Sequence, residues 1–267
     1  NVQLLDANED YFVDGPGVMG ELPTELRWKI FAYLPEKIGD LRLVNKSWHA
    51  MVEQWATPQN APPIHEIRMQ EDQDSVIVTI EIRRKWAACY QQLRDFVKEC
   101  KWYSKEYKIQ SPPLLKHFSF VFPYDSSSVD MLGSVLSNKI ERIMIRDTID
   151  RYRFTKFQEV AVNICKNFKQ CRELEFRGFF LNEDFESFAK TILSTICPSD
   201  VRFVINFDYL SEHREFLFHV ASRFRKVFIM QKRTNIHDNR QLVSSEDLLL
   251  GMFERGVNWL EIHNPYT

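Results

Sequence analysis

The sequence predicts an α+β protein in which a small all-helical module precedes a larger region of alternating strands and helices. Three observations predict it. Apolar residues recur at helical spacing over residues 21–55. A polar, proline-rich stretch, "ATPQNAPP", follows at residues 56–63 and marks a linker. Beyond residue 110, short runs of alternating apolar residues recur about every 24 to 33 positions, with helical patterns between them.

Composition excludes several classes of protein. The 267 residues are 44% hydrophobic and 27% charged, which is ordinary for a globular chain. The formal net charge of −2 does not favour nucleic acid or an anionic membrane as a partner. No apolar run is long enough for a membrane-spanning helix, and the first residues lack the basic and apolar regions of a signal peptide. We therefore expect no membrane partner.

Residue types that catalyse reactions or bind metals form no recognisable motif. The five cysteines are odd in number and none has CxxC spacing, which predicts free thiols in the cytoplasm or nucleus. No nucleophile elbow, P-loop, zinc-protease or dinucleotide-binding pattern occurs. His213 and His219 do not share a helix face at metal-ligand spacing. We expect no catalysis by this chain, no cofactor and no metal site.

The N-terminal region divides into an arm and two short helical segments. Residues 1–20 contain acidic residues, no lysine or arginine, and a "GPG" turn, which predicts a flexible acidic arm. A helix begins near Pro23, because proline is tolerated in the first turn, and ends before Pro35. A second helical pattern runs from Leu41 to Trp55.

The stretch "LPTELRWKIFAYLPEKIGDLRLVNKSWHAMVEQW" resembles the F-box, which docks substrate receptors onto Skp-type adaptors in cullin-based ubiquitin ligases. Asn45 departs from the family, which often has cysteine there. So few helices cannot bury all these apolar side chains internally, which favours a protein interface. The alternative is a helical hairpin that packs only on the chain's own domain. The resemblance implies adaptor contact or internal packing for Leu22, Pro23, Glu25, Leu26, Ile30, Phe31, Leu34, Leu41, Val44 and Trp48.

Residues 64–110 are predicted to connect the module to the C-terminal domain. The runs "IHEIRM" and "SVIVTIEI" flank a polar turn and predict a β-hairpin. A long, basic amphipathic helix is predicted from Arg83 to about Lys108. This region would fix the orientation of the two parts.

Residues 111–267 carry six predicted strands, "HFSFVF", "RIMIR", "ELEFR", "RFVIN", "KVFIM" and "WLEIH". Helical stretches separate several of them, so the pattern predicts parallel strands with crossover helices in a solenoid. The pattern resembles leucine-rich repeats loosely, since the repeat asparagine is missing and Phe or Ile stand where that family prefers Leu. The alternative is a single open α/β sheet.

Side chains that alternate with the core positions of these strands would line the other sheet face. That face mixes charged and large apolar residues, which suits a protein substrate, although an ordinary solvated face is the alternative. The "GFF" of residues 178–180 is a second candidate. The predicted substrate-binding residues are Arg142, Met144, Arg146, Glu175, Arg177, Asn206, Phe228, Met230, Trp259, Glu261 and His263.

The resemblance implies a non-catalytic substrate receptor that binds a Skp-type adaptor, through it a cullin, and an unidentified protein substrate. One alternative is an F-box scaffold or adaptor-sequestering protein that works outside ubiquitination. Another is a nucleic-acid-binding repeat protein that uses the basic helix with Trp86, Tyr90, Trp102 and Tyr103.

Overall fold

The computed structural model describes residues 22–57, 60–72, 75–90, 115–124, 132, 136–147, 154–168, 170–206, 210–231 and 246–263. Its helices are α1 (Thr24–Tyr33), α2 (Ile38–Leu41), α3 (Lys46–Trp55), α4 (Phe154–Cys165), α5 (Glu183–Thr195), α6 (Arg214–Ala221) and α7 (Glu246–Glu254). Short 3₁₀ helices span Pro35–Lys37, Arg84–Tyr90 and Leu210–His213. None of these described helices is long and apolar enough to cross a membrane.

The strands form one open, eight-stranded mixed sheet. They are β1 (Ile64–Asp72), β2 (Ser75–Arg83), β3 (Leu115–Pro123), β4 (Lys139–Arg146), β5 (Gln170–Phe180), β6 (Pro198–Asn206), β7 (Lys226–Gln231) and β8 (Trp259–His263). Their order is β3-β2-β1-β4-β5-β6-β7-β8. The first three pair antiparallel, β1 pairs parallel with β4, and β4 to β8 run parallel in chain order.

The predicted α+β class is confirmed, with helices at the N-terminus and a large sheet after them. A leucine-rich-repeat solenoid is not shown, and the sheet is open, as the alternative has it. The predicted hairpin is β1 and β2, which lie within the same sheet as β4 to β8. The acidic arm and most of the predicted long helix lie outside the described residues. The described start of that helix, Arg84–Tyr90, is a 3₁₀ helix.

Phenylalanine side chains fill the core between the sheet and helices α5 and α6. The Phe176 and Phe203 rings of neighbouring strands stack with centroids 5.5 Å apart. Phe185 of α5 and Phe216 of α6 meet them edge-on. The high phenylalanine content of the sequence therefore serves a buried aromatic layer.

Helix α5 begins directly after an asparagine that caps it. The Asn182 side chain accepts a hydrogen bond from the backbone N–H of Phe185 at 2.9 Å. Glu183, Asp184 and Glu186 occupy the first turn, where negative charge offsets the positive end of the helix dipole. The helix dipole thus accounts for the three acidic residues at this helix start.

A β-bulge in β5 places one phenylalanine in the core and the next at the surface. The register with β6 shifts between Arg177 and Phe180, and Gly178 has φ of 87°. Phe179 is buried, whereas Phe180 is 36% exposed. The bulge therefore splits the "GFF" candidate between core and surface.

Replacing Gly178 with alanine should lower the free energy of unfolding by at least about 2 kcal/mol. The new side chain would need a positive φ and would place its Cβ 2.9 Å from the Asp147 carbonyl oxygen. Gly256→Ala is the matched control, since Gly256 has φ of 102° but no atom within 4 Å of an added Cβ. Its expected cost is only about 1 kcal/mol. Equal losses for both variants in urea denaturation would contradict this account of the bulge.

Candidate functional site

The helical module carries a group of exposed apolar side chains. They account for six of the ten large hydrophobic residues that are exposed among the described residues. Tyr33 is 83% exposed and Leu43 is 77% exposed. Apolar surface of this density on a small module is typical of a protein interface. The cluster, called the apolar face below, comprises Leu26, Trp28, Tyr33, Leu34, Leu43 and Val44.

One residue of α1 is packed inside the chain. The buried Phe31 ring meets Trp48 edge-on at 5.6 Å and Trp55 edge-on at 5.8 Å. Both tryptophans come from α3 and are themselves buried. Helix α1 therefore has one face in a small aromatic core and another that is exposed.

The residues implied by the resemblance fall into three groups by exposure. Phe31 and Trp48 are buried and pack within the module. Leu22, Ile30 and Leu41 are partly buried. The exposed members are Pro23, Glu25, Leu26, Leu34 and Val44.

Sequence reasoning did not include Trp28, Tyr33 and Leu43, which belong to the apolar face. Trp28 lies off the helical stripe that was selected on α1, whereas Tyr33 lies on it and Leu43 follows α2. The sequence of α1 contains a sign of these residues, because its own apolar side chains are distributed around the whole helix and not on one face. A surface helix that packs only on its own core has a polar outer face.

Asn45 has a structural role at the start of α3. It is the N-cap, and its side-chain oxygen accepts a hydrogen bond from the backbone N–H of Trp48 at 2.9 Å. Asparagine is among the best N-cap residues. The departure from the family's frequent cysteine is therefore compatible with the fold of the module.

The helical module is packed against the sheet domain. Phe31, Ile38 and Trp55 belong to the same buried cluster as Ile64 of β1. Polar contacts add to this attachment. The Cys89 thiol donates to the Pro35 carbonyl at 3.5 Å, and the Tyr90 hydroxyl donates to the Pro62 carbonyl. The Ser137 hydroxyl donates to the Ala61 carbonyl at 3.3 Å, within the predicted linker.

The buried position of Tyr90 bears on the nucleic-acid alternative, which would use that ring for base stacking. Its ring is 2% exposed. Burial raises the pKa of its hydroxyl above the ordinary value. Trp102 and Tyr103 lie outside the described residues.

Strand register aligns the predicted substrate-binding residues in rows across the sheet. One row runs through successive Cα partners Met144, Glu175, Arg202, Phe228 and Glu261. The next row runs through Arg146, Arg177, Val204, Met230 and His263. The pattern thus brings residues from five strands to one face of the sheet.

Three further predicted residues also have register partners on neighbouring strands. Arg142 pairs in register with Glu173, Trp259 pairs with Lys226, and Asn206 pairs with Phe180 beyond the bulge. The exposed Trp259 lies beside Arg202 and Phe228 in a concavity of about 190 Å³. The Arg202 guanidinium stacks on the Phe228 ring at 4.3 Å.

Ion pairs connect the neighbouring strands on this face. Arg142 contacts Glu66 at 3.2 Å, Glu173 at 3.1 Å, and the fully buried Glu175. Burial disfavours the charged guanidinium, but the hydrogen bond that Arg142 donates to Glu175 and the attraction of the three carboxylates together raise the pKa of Arg142. Arg142 therefore stays charged and cross-links β1, β4 and β5.

The four described cysteines, Cys89, Cys165, Cys171 and Cys197, are free thiols, as the sequence predicts for them. Burial raises the pKa of Cys89 and Cys171 to about 12 and also raises that of Cys165. Iodoacetamide at pH 8 should therefore alkylate these three at least about 100-fold more slowly than the exposed Cys197. Peptide mapping by mass spectrometry measures each site separately. Fast alkylation of Cys171 in the native protein would contradict its buried position.

Comparison with known proteins gives one match. Residues 19–57 match the family model named F-box-like, which confirms the resemblance of the helical module. The match does not extend into the sheet domain. Neither the curated proteins nor the solved structures compared with the chain give a match.

Proposed function

This chain carries an F-box-like domain over residues 19–57, and on that premise we propose that it is a substrate-recognition subunit of an SCF-type cullin ubiquitin ligase. The F-box-like domain docks a Skp-type adaptor, and the adaptor connects the chain to a cullin. The sheet domain binds a protein substrate. The chain itself is non-catalytic, ubiquitin transfer belongs to other subunits, and the complex works in the cytoplasm or nucleus.

The apolar face is the observation that carries this proposal. Its six large side chains are exposed on the F-box-like domain, whereas Phe31, Trp48 and Trp55 are buried in its aromatic core. Removing such side chains from water on binding would stabilise a complex by about 25 cal/mol for each Å² of apolar area. The buried aromatic core holds the face in shape before the adaptor arrives.

Attachment of the domain to the sheet suits a receptor. A ligase must hold its substrate at a fixed distance from the ubiquitin-conjugating enzyme, since proximity and orientation set the transfer rate. The shared buried cluster and the Tyr90 and Ser137 hydrogen bonds limit motion between the two parts. Substrate on the sheet face would therefore keep a defined position relative to the adaptor.

Coexpression with a Skp-type adaptor and a cullin tests the proposal. The expected result is that tagged chain purifies with both partners in equal amounts. A complex with the adaptor that excludes the cullin would favour the scaffold or sequestering role instead. Failure to recover the adaptor would overturn the proposal.

A further inference from the structure

A concavity of about 310 Å³ opens on the charged sheet face, over β1, β4 and β5. Four arginines line it: Arg68, Arg142, Arg146 and Arg177. Glu66 also lines it. We call this concavity the arginine crevice. Four guanidinium groups around one depression are a concentration of hydrogen-bond donors suited to carboxylates.

The crevice lies where the strand order reverses. From β1 the chain builds β2 and β3 on one side and then returns to add β4 on the other. Strands β1, β4 and β5 are mutually parallel there, and Arg146 is the last residue of β4. Open α/β sheets bind ligands at the carboxyl ends of strands beside such a reversal.

Arg68 and Arg142 each contact two or more carboxylates within the sheet face. Arg68 contacts Glu66 and Glu81, and Arg142 contacts Glu66, Glu173 and Glu175. These pairs hold the floor of the crevice together.

Arg146 and Arg177 are the donors that can face a ligand. Arg146 is exposed, and its side chain makes no hydrogen bond or ion pair with any described residue. Arg177 bonds Glu175 through Nε at 2.6 Å, and its side chain remains 42% exposed. The two are direct Cα partners on β4 and β5, so their like charges oppose each other. A bound anion would relieve that repulsion.

We propose that the arginine crevice binds an acidic segment of a protein substrate, with carboxylates on Arg146 and Arg177. That the segment belongs to a substrate rests on the proposed function. Single carboxylates suit the site better than a dianionic group, because Glu66 lines the crevice and Glu175 lies against Arg177. Glu175 and Glu66 also hold the arginine side chains in place before binding.

Selection from a random twelve-residue peptide library displayed on phage, with the purified full chain as bait, tests the proposal. The expected result is at least about threefold enrichment of Asp and Glu over the unselected library. Arg146→Glu should remove that enrichment. The control Arg172→Glu makes the same charge change at an exposed arginine at the other end of β5 and should keep it.

Three outcomes would overturn the proposal. The first is no acidic enrichment with the unmodified chain. The second is enrichment that survives Arg146→Glu. The third is enrichment only when the acids of residues 1–20 are neutralised to amides, which would assign the crevice to the chain's own arm. Adaptor binding, measured on the same proteins, reports the proposed function separately, because the selection needs no adaptor.

Discussion

Leu26→Asp is expected to abolish binding of a Skp-type adaptor while the chain stays folded. Leu26 belongs to the apolar face and is 45% exposed, so aspartate costs little in the free chain. In the complex, the carboxylate would be buried against apolar side chains without a partner. We expect a loss of at least 2–3 kcal/mol, or about 30- to 150-fold in affinity. Surface plasmon resonance with immobilised adaptor measures it.

Leu250→Asp is the matched control for Leu26→Asp. Leu250 lies on α7, is 59% exposed and is outside the F-box-like domain. Leu250→Asp should leave adaptor affinity within about twofold, since α7 lies outside the proposed docking surface. Retained binding by Leu26→Asp, or equal losses for the two variants, would mean that the adaptor uses another surface.

Phe176→Ala is expected to give the largest loss of stability of any single substitution considered for the sheet domain. The Phe176 ring stacks on Phe203 at 5.5 Å and meets Phe185 at 5.5 Å and Phe188 at 6.1 Å. Alanine would leave a cavity at the centre of this aromatic layer. The expected decrease in the free energy of unfolding is about 3–5 kcal/mol. Urea denaturation followed by circular dichroism measures it.

Phe180→Ala makes the same substitution in the same strand, where the side chain is 36% exposed. Its expected cost is smaller, about 1–2 kcal/mol, because about a third of the side chain is already in contact with water. If Phe176→Ala costs no more than Phe180→Ala, the aromatic layer does not stabilise the sheet domain as described.

Local patterns in the sequence were sufficient to identify most strands and the polarity of their faces. Alternation placed Arg142, Glu175 and Phe228 on one face, and the strand register agrees. One feature depended on distant contacts that a local pattern does not contain. The hairpin of β1 and β2 lies in the same sheet as β4.

The helical module shows a different limit. Periodicity placed Leu26 and Phe31 on one stripe, yet Leu26 is exposed and Phe31 is fully buried. The division arises because α3 brings Trp48 and Trp55 against only part of that stripe. Helical spacing shows which residues share a face, but the neighbouring helix decides how much of the face is covered. The resemblance to the F-box, and not helical spacing, indicated that the exposed part of the face contacts an adaptor.

Hydrogen–deuterium exchange of the full chain, alone and mixed with a Skp-type adaptor, tests the central claim most directly. We expect slower amide exchange in the presence of adaptor over residues 24–44, which carry the apolar face, and unchanged exchange in β4 to β7. Unchanged exchange over residues 24–44, or protection confined to the sheet strands, would contradict the claim that this F-box-like domain is the adaptor-docking surface.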